Sequence, residues 1–203
     1  MVALGLRCIR LDSNCRIRRR HDLGAGVSQI YAVNHPESLF DLSLINSVAF
    51  DFWPVQPITA MRTPIIRQLL MAAIDINTFK LIVRRGMYHK SKLSPELMDL
   101  FWEPMKTPEG RKAFLHFAKS LNNNDLLEIS DRLAKLEVKT LIIRGNADVY
   151  LAPRGSERLH ETIKNSRLVR FEEGGHFIHE DDPDWLSEQL MMFLKAKMSD
   201  SAG

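Results

Sequence analysis

Apolar and polar positions along the chain change period several times, and each change marks an element. From Val27 to His35 the apolar residues Val27, Ile30, Tyr31 and Val33 recur at helical spacing, and Pro36 ends the run. Leu42-Ser43-Leu44-Ile45-Asn46 reads as a short buried strand. So do Val138 with Thr140-Leu141-Ile142-Ile143, and later Leu168-Val169-Arg170-Phe171. A helix fits residues 153 to 164, between those two. A last helix opens at Asp182-Pro183 and turns Leu186, Leu190, Phe193 and Leu194 inward. Strands separated by helices predict right-handed parallel crossovers and an α/β class.

The stretch from 51 to 137 has another character. Ser94-Pro95-Glu96 and Thr107-Pro108-Glu109 each place a cap, a first-turn proline and an acid in the order that starts a helix. After the second, Ala113, Phe114, Phe117, Ala118 and Leu121 share one face. Ile58 to Ile74 and Thr78 to Tyr88 also carry helical spacing. No strand pattern interrupts them, so this is an all-helical insertion between two sheet strands.

With 203 residues, 45% of them hydrophobic, the chain can bury one sizeable core. No apolar run reaches membrane-spanning length, and the expectation is a soluble, cytoplasmic protein with no membrane partner. The formal charge is only +3, and much of it lies in Arg7, Arg10, Arg16, Arg18, Arg19 and Arg20. Elsewhere the charges mix, which argues against a nucleic-acid-binding surface. Cys8 and Cys15 lack metal or redox spacing and read as a reduced pair. The Arg-rich start makes a poor core strand. A transit peptide, a nucleic-acid arm, and a fragment or altered start joined to the interior of a larger fold are three ways to read it.

Candidate chemistry begins at His21-Asp22-Leu23-Gly24-Ala25-Gly26. Small residues crowd one side of a carboxylate, as at a sharp strand–turn–helix corner that holds its apical side chain out toward substrate. An ordinary helix start with a favourably placed Asp22 would look the same locally. Asp148, in Arg144-Gly145-Asn146-Ala147-Asp148, and His176, after Gly174-Gly175, also follow strands. In a parallel sheet such strand ends open on one crevice. Nucleophile, orienting acid and base are the three roles of covalent catalysis. His176 and His179 with Glu180, Asp181 and Asp182 could also suggest a metal site, but a glycine turn followed by a capped helix accounts for them, and no metal is expected.

The segments HDLGAG, RGNADVYLAP and EGGHFIHEDDP resemble the nucleophile turn, acid loop and histidine loop of α/β-hydrolases. The aspartate at the turn is similar to the epoxide hydrolase and dehalogenase branch. The resemblance implies a partial doubly wound parallel sheet, the second half of that fold, with core segments 21–50 and 138–198. It makes 51–137 a helical lid and 1–20 an aberrant start, with the N-terminal half of the fold missing and a sheet edge open to self-association. It implies Asp22 as nucleophile, Asp148 as acid, His176 as base and the Leu23 N–H as an oxyanion donor. Tyr88, the lone lid tyrosine, becomes a candidate acid, and Trp53 and Trp102 become candidate pocket walls. Leu23 stands where many haloalkane dehalogenases have a halide-holding tryptophan, and Arg20 stands where the family has glycine. The implied activity is cofactor-free hydrolysis of a small apolar organic substrate through an aspartyl ester. An ester or C–C bond hydrolase of the same fold and a non-catalytic remnant that binds a partner are the alternatives.

Overall fold

The structure, a computed structural model, describes residues 10–12, 15–51, 63–65 and 75–200. Trp53 and nearly all of the helix expected over 58–74 lie outside the described residues. A five-stranded sheet runs in the order β1-β2-β3-β4-β5. Its strands are β1 (Arg10–Asp12), β2 (Cys15–His21), β3 (Leu39–Ser47), β4 (Thr140–Gly145) and β5 (Ser166–Phe171). β2 to β5 are all parallel, and β1 pairs antiparallel on the outside of β2.

The Arg-rich stretch that makes a poor core strand by composition is nevertheless a strand: Ile17 to His21 pair in register with Asp41 to Ile45. The reason is a local counter-charge. Asp41, nearly fully buried on the neighbouring strand, acts electrostatically on Arg19 and offsets part of the desolvation that lowers the guanidinium's pKa. The Arg20 stem lies along the first turn of the next helix, beside Gly24. That accommodates an arginine where a small residue was expected.

Helix α1 (Asp22–Asn34) follows β2 without a loop, starting five residues before the apolar periodicity at Val27. The small residues Leu23 to Gly26 conceal those first turns from a hydrophobicity pattern. Gly26 packs so close to the sheet that a Cβ there would sit 2.6 Å from a Val48 methyl. After a short 3₁₀ turn, β3 alternates cleanly. Leu42 and Leu44, with Ile142 of β4, join a core under α1 and under α7 (Pro153–Thr162). Ile45, Leu141 and Ile143 face a second core with α9 (Pro183–Asp200). Helices therefore cover both faces of a parallel sheet, as the doubly wound class requires.

Among the described residues, everything between β3 and β4 that has regular structure is helical. α2 (Ile76–Gly86), α3 (Pro95–Trp102) and α4 (Pro108–Ser120) each carry a side-chain cap, the last two as the sequence predicts and the first at Asp75, which it did not mark. Asp75, Ser94 and Thr107 accept from the backbone N–H of Thr78, Leu97 and Gly110. Their apolar faces form a separate cluster of Val83, Met87, Met98, Phe101, Trp102, Met105 and Ala118. The short helices α5 (Asn124–Leu127) and α6 (Ser130–Leu133) close this stretch differently. Leu126, Ile129, Leu133 and Leu136 pack into the main core beneath α1. Among the described residues no helix is long and apolar enough to cross a membrane.

Gly26→Val is expected to destabilise the protein by about 1–3 kcal/mol, the usual cost of overpacking a stiff contact, read in urea titrations as a lower midpoint with an unchanged denaturant slope.

Candidate active site

The ends of β2, β4 and β5 bring three side chains together at one rim of the sheet. At the first, the chain passes from β2 into α1 through Asp22, whose φ of 52° lies in the left-handed region. An aspartate tolerates that region better than most residues, though at a cost of roughly 1–2 kcal/mol. The result is a carboxylate standing at the apex of the turn, with 30% of its side chain exposed.

After β4, a tight turn brings Asp148 beneath the site. Its N–H bonds back to the Gly145 carbonyl at 3.1 Å. Oδ1 accepts from the N–H of Tyr150 at 2.8 Å and of Leu151 at 3.1 Å, leaving Oδ2 to accept from Nδ1 of His176 at 3.0 Å. Its side chain is fully buried. Burial favours the neutral acid, but the bond from His176, its charge and the two backbone donors outweigh that, so Asp148 titrates below its ordinary value.

His176 follows β5 on the Gly174-Gly175 turn. Because Asp148 is ionised, Nδ1 carries the proton, and Nε2 faces Asp22 Oδ2 at 4.0 Å. Burial alone would depress the imidazole. The Asp148 hydrogen bond and the charges of both carboxylates outweigh it, so His176 titrates above 6.5. Asp22 is raised, first by burial and slightly by Asp148, while His176 and the Leu23 N–H pull it down. With part of the carboxylate open to solvent, that desolvation is only partial. The Leu23 N–H thus points at the Asp22 carboxylate. The glycine pair allows close approach: a Cβ on Gly145 would sit 2.3 Å from the Gly174 carbonyl oxygen.

The structure therefore brings Asp22, Asp148, His176 and Leu23 together. It does not gather the other sequence candidates. Trp102 is buried inside the insertion's own cluster, against Phe79 and under Arg111, where a tryptophan at helical spacing becomes core. Tyr88 is 45% exposed, with its ring edge-on to His89. The tyrosine ring against His176 is Tyr150, at 5.2 Å and 86°, and its hydroxyl donates to the Ile82 carbonyl at 2.6 Å.

Several residues that sequence reasoning passed over pack around the imidazole. Phe177 contacts His176, His21 and Phe101, and so carries the insertion's apolar cluster down to the site. His21 donates from Nε2 to the His176 carbonyl at 2.7 Å. His179 lies 5.0 Å from His21, ring to ring. Burial, then the neighbouring imidazoles, hold His21 well below its usual pKa and His179 down to about 4. Asp181, also fully buried, accepts from the N–H groups of Gly175, Tyr88 and His89, while its own carbonyl accepts from Lys92. These bonds, with the His176 N–H to the Gly86 carbonyl at 2.6 Å, clamp the C-terminal end of α2 to the histidine loop. The pair HxxH at 176 and 179 was the one sequence signal for this cluster. Asp181 was grouped with His176 only as a possible metal ligand, and nothing in spacing marks His21 as a partner of His176.

The comparisons with known proteins agree with the fold. The chain belongs to the alpha/beta hydrolase fold family, whose model matches residues 21–183. An uncharacterized hydrolase of Bacillus subtilis (strain 168), YugF, is 28% identical over 54% of this chain and 39% of its own. The 2-hydroxy-6-oxo-6-phenylhexa-2,4-dienoate hydrolase of Comamonas testosteroni is 23% identical over 97% of this chain and 66% of its own length. The chain thus spans less than two thirds of either relative. Among solved structures, a meta-cleavage product hydrolase from Pseudomonas fluorescens IP01 superposes with a TM-score of 0.73 at 21% identity, over 87% of this chain and 63% of that one. A haloalkane dehalogenase loop variant from Bradyrhizobium elkanii does so with 0.74 at 20%, over 90% and 67%. At such identities the likeness is one of fold.

His179, neutral when folded and free to protonate near 6.5 when unfolded, makes stability depend on pH. Its contribution is full above about 6.5 and is lost as pH falls toward 4, because only the unfolded chain takes up the proton. His21 acts in the same direction. His176, with its raised pKa, opposes them, since its contribution is present below 6.5 and is lost as pH rises through its folded value. The melting temperature of the protein should therefore fall between pH 6.5 and 4. His179→Gln should flatten that fall in thermal scans across the window.

Proposed function

We propose that the protein is a hydrolase acting through an ester on Asp22, with His176 as the base for the second step and Asp148 orienting it. The observation that carries this reading is a single exposed carboxylate, in left-handed backbone, facing the unprotonated nitrogen of an imidazole whose other nitrogen is tied to a buried acid. A serine nucleophile must share a hydrogen bond with its histidine. An ionised aspartate needs none, and the 4.0 Å separation suits an imidazole that works on water beside the carboxylate.

In the first step an Asp22 oxygen attacks a saturated carbon, forming a C–O bond as the leaving group departs with its electron pair. In the second, His176 Nε2 takes a proton from water, and the hydroxide adds to the ester carbonyl, whose oxyanion lies near the Leu23 N–H. Collapse breaks the bond from the carbonyl carbon to the alkyl oxygen; that oxygen takes the hydroxyl proton and leaves as the alcohol, the carboxylate is restored, and His176 gives the proton it took to solvent. The electrostatics favour this order. The Asp22 charge is one of the influences raising His176, and ester formation removes it. The imidazole becomes easier to hold neutral at the moment a base is required.

The substrate is read as small and apolar, since Phe177 and the cluster behind it are the insertion's contribution beside the imidazole, and the insertion is read as a lid. Tyr150 is committed to a backbone carbonyl and Tyr88 contacts neither Asp22 nor His176 through its ring. A leaving group that departs as a stable anion, such as halide, is therefore within reach of these groups unaided, whereas an epoxide oxygen needs a proton from elsewhere. The haloalkane dehalogenase fold neighbour supports this reading. A second reading, cleavage of an ester or C–C bond with Asp22 not acting as nucleophile, is favoured by the Comamonas relative, which matches nearly the whole chain.

His176→Gln should slow turnover by about 10²–10⁴-fold, the usual contribution of a general base. It should also leave a substrate-derived mass on Asp22 in peptide mass spectrometry after incubation with a haloalkane panel. Absence of any adduct on Asp22, with turnover of ester or C–C substrates intact in Asp22→Asn, would favour the second reading. Asp22→Asn should also lower the NMR titration midpoint of His176, since an opposing charge is removed while Asp148 remains.

A further inference from the structure

We infer that Asn46 is a positioning residue whose side-chain amide sets the acid loop and the histidine loop in register. The inference rests on the assignment of Asp148 and His176 proposed above. Asn46 ends β3, is nearly fully buried and has a φ of 38°. Its Oδ1 accepts from the Gly145 N–H at 2.8 Å, and its Nδ2 donates to the carbonyls of Gly175 at 2.8 Å and His176 at 2.9 Å. Those partners are 99, 129 and 130 residues away in sequence.

Each bond reaches a reacting side chain by a short path. Gly145 is the residue whose carbonyl receives the Asp148 N–H, so holding it fixes the acid turn from below. The His176 carbonyl belongs to the residue that bears the imidazole, and His21 Nε2 is its second donor. The next residue on β3, Ser47, bridges to Asp22, and the Val48 N–H reaches the Asp22 carbonyl at 3.4 Å. One strand end therefore reaches the backbone of Asp22 and His176 and, through Gly145, the turn that carries Asp148. Sheet pairing ends at Gly145 and Phe171, and past it the Ala147 N–H reaches the Gly174 carbonyl at 3.0 Å; the Asn46 amide adds the link that reaches Gly175 and His176 themselves.

The chemistry of the side chain is specific. Only a primary amide offers an acceptor and two donors from one planar group. Leucine or alanine would take the partner from the Gly145 N–H and the Gly175 carbonyl and leave the His176 carbonyl to His21. Aspartate keeps an acceptor for Gly145 but turns an oxygen toward two carbonyls. A shift in register on the scale of 1 Å would weaken the bond from Nδ1 to Asp148, release the tautomer, and leave Nε2 protonated where a free lone pair is required.

The test uses the full chain labelled with ¹⁵N-histidine, in the parent, Asn46→Asp and Asn46→Ala. In the parent, neutral His176 is expected as the Nδ1–H form. In either variant the ring nitrogen shifts should move toward the Nε2–H form, and decay of the Asp22 ester should slow by about 10²-fold, with its formation changed far less. Unchanged tautomer and decay in a folded variant, with only a lower melting temperature, would overturn the proposal. Should neither variant fold, hydrogen exchange in the parent decides. The Asn46 side-chain protons and the Gly145 N–H are expected to be protected together, and a freely exchanging Asn46 amide overturns the inference. Failure of the catalytic reading gives a different pattern: Asp148→Asn and His176→Gln would leave hydrolysis untouched while the Asn46 variants still moved the His176 tautomer.

Discussion

The bond from His176 Nδ1 to Asp148 Oδ2 is the interaction on which the geometry above the sheet depends. It fixes which imidazole nitrogen carries the proton, and so which one faces Asp22. It also keeps a fully buried carboxylate ionised, because that carboxylate has three donors and none of its lone-pair directions is left toward apolar atoms without compensation. Loss of the imidazole would leave Asp148 as a buried charge with only its own turn for support. The arrangement is mutual: acid and base each hold the other in the state that the site uses.

Holding polar groups under cover creates costs that the surrounding residues meet. Arg144, nearly fully buried behind the acid, stays charged because Asp148 lies close, although burial lowers its pKa. His21 and His179 meet the cost differently, by remaining neutral. Three imidazoles within about one ring's reach of one another would repel if all were protonated. Only His176, with two carboxylates around it, is favoured to carry the charge. The left-handed backbone of Asp22 is a third cost, carried by a helix that begins on the next peptide and by glycines that let it start against the sheet.

The insertion is not an independent cover. Its helix α2 ends at Gly86, whose carbonyl receives the N–H groups of His176 and Phe177, and the residues just after it are bound by Asp181. Displacing that helix would therefore pull on the same backbone that presents the imidazole. Phe177 adds an apolar link from the site to Phe101. The other end of the insertion is anchored by packing, with Leu126 and Leu133 buried under α1. Polar clamps hold the end nearest the chemistry, and hydrophobic burial holds the end far from it.

By itself the sequence determined the element types of β3, β4, β5 and the capped helices, because local periodicity and cap chemistry decide those. It also marked Asp22, Asp148 and His176, because glycine-rich turns after strands are visible as residue types at fixed spacing. It misjudged β2, where a run of arginines hides a strand. A buried counter-charge such as Asp41 comes from another part of the chain and leaves no local trace. It offered Trp102 and Tyr88 as facing the site, yet helical spacing says only that a residue has an inner face, not which cluster that face meets. Asn46 and His21 were silent for the same reason, and Asp181 was weighed as a metal ligand rather than as the acceptor of the Tyr88 and His89 N–H groups. Their partners lie roughly 90 to 155 residues away for the long-range bonds, so their meaning exists only once the sheet has brought distant loops within hydrogen-bonding distance.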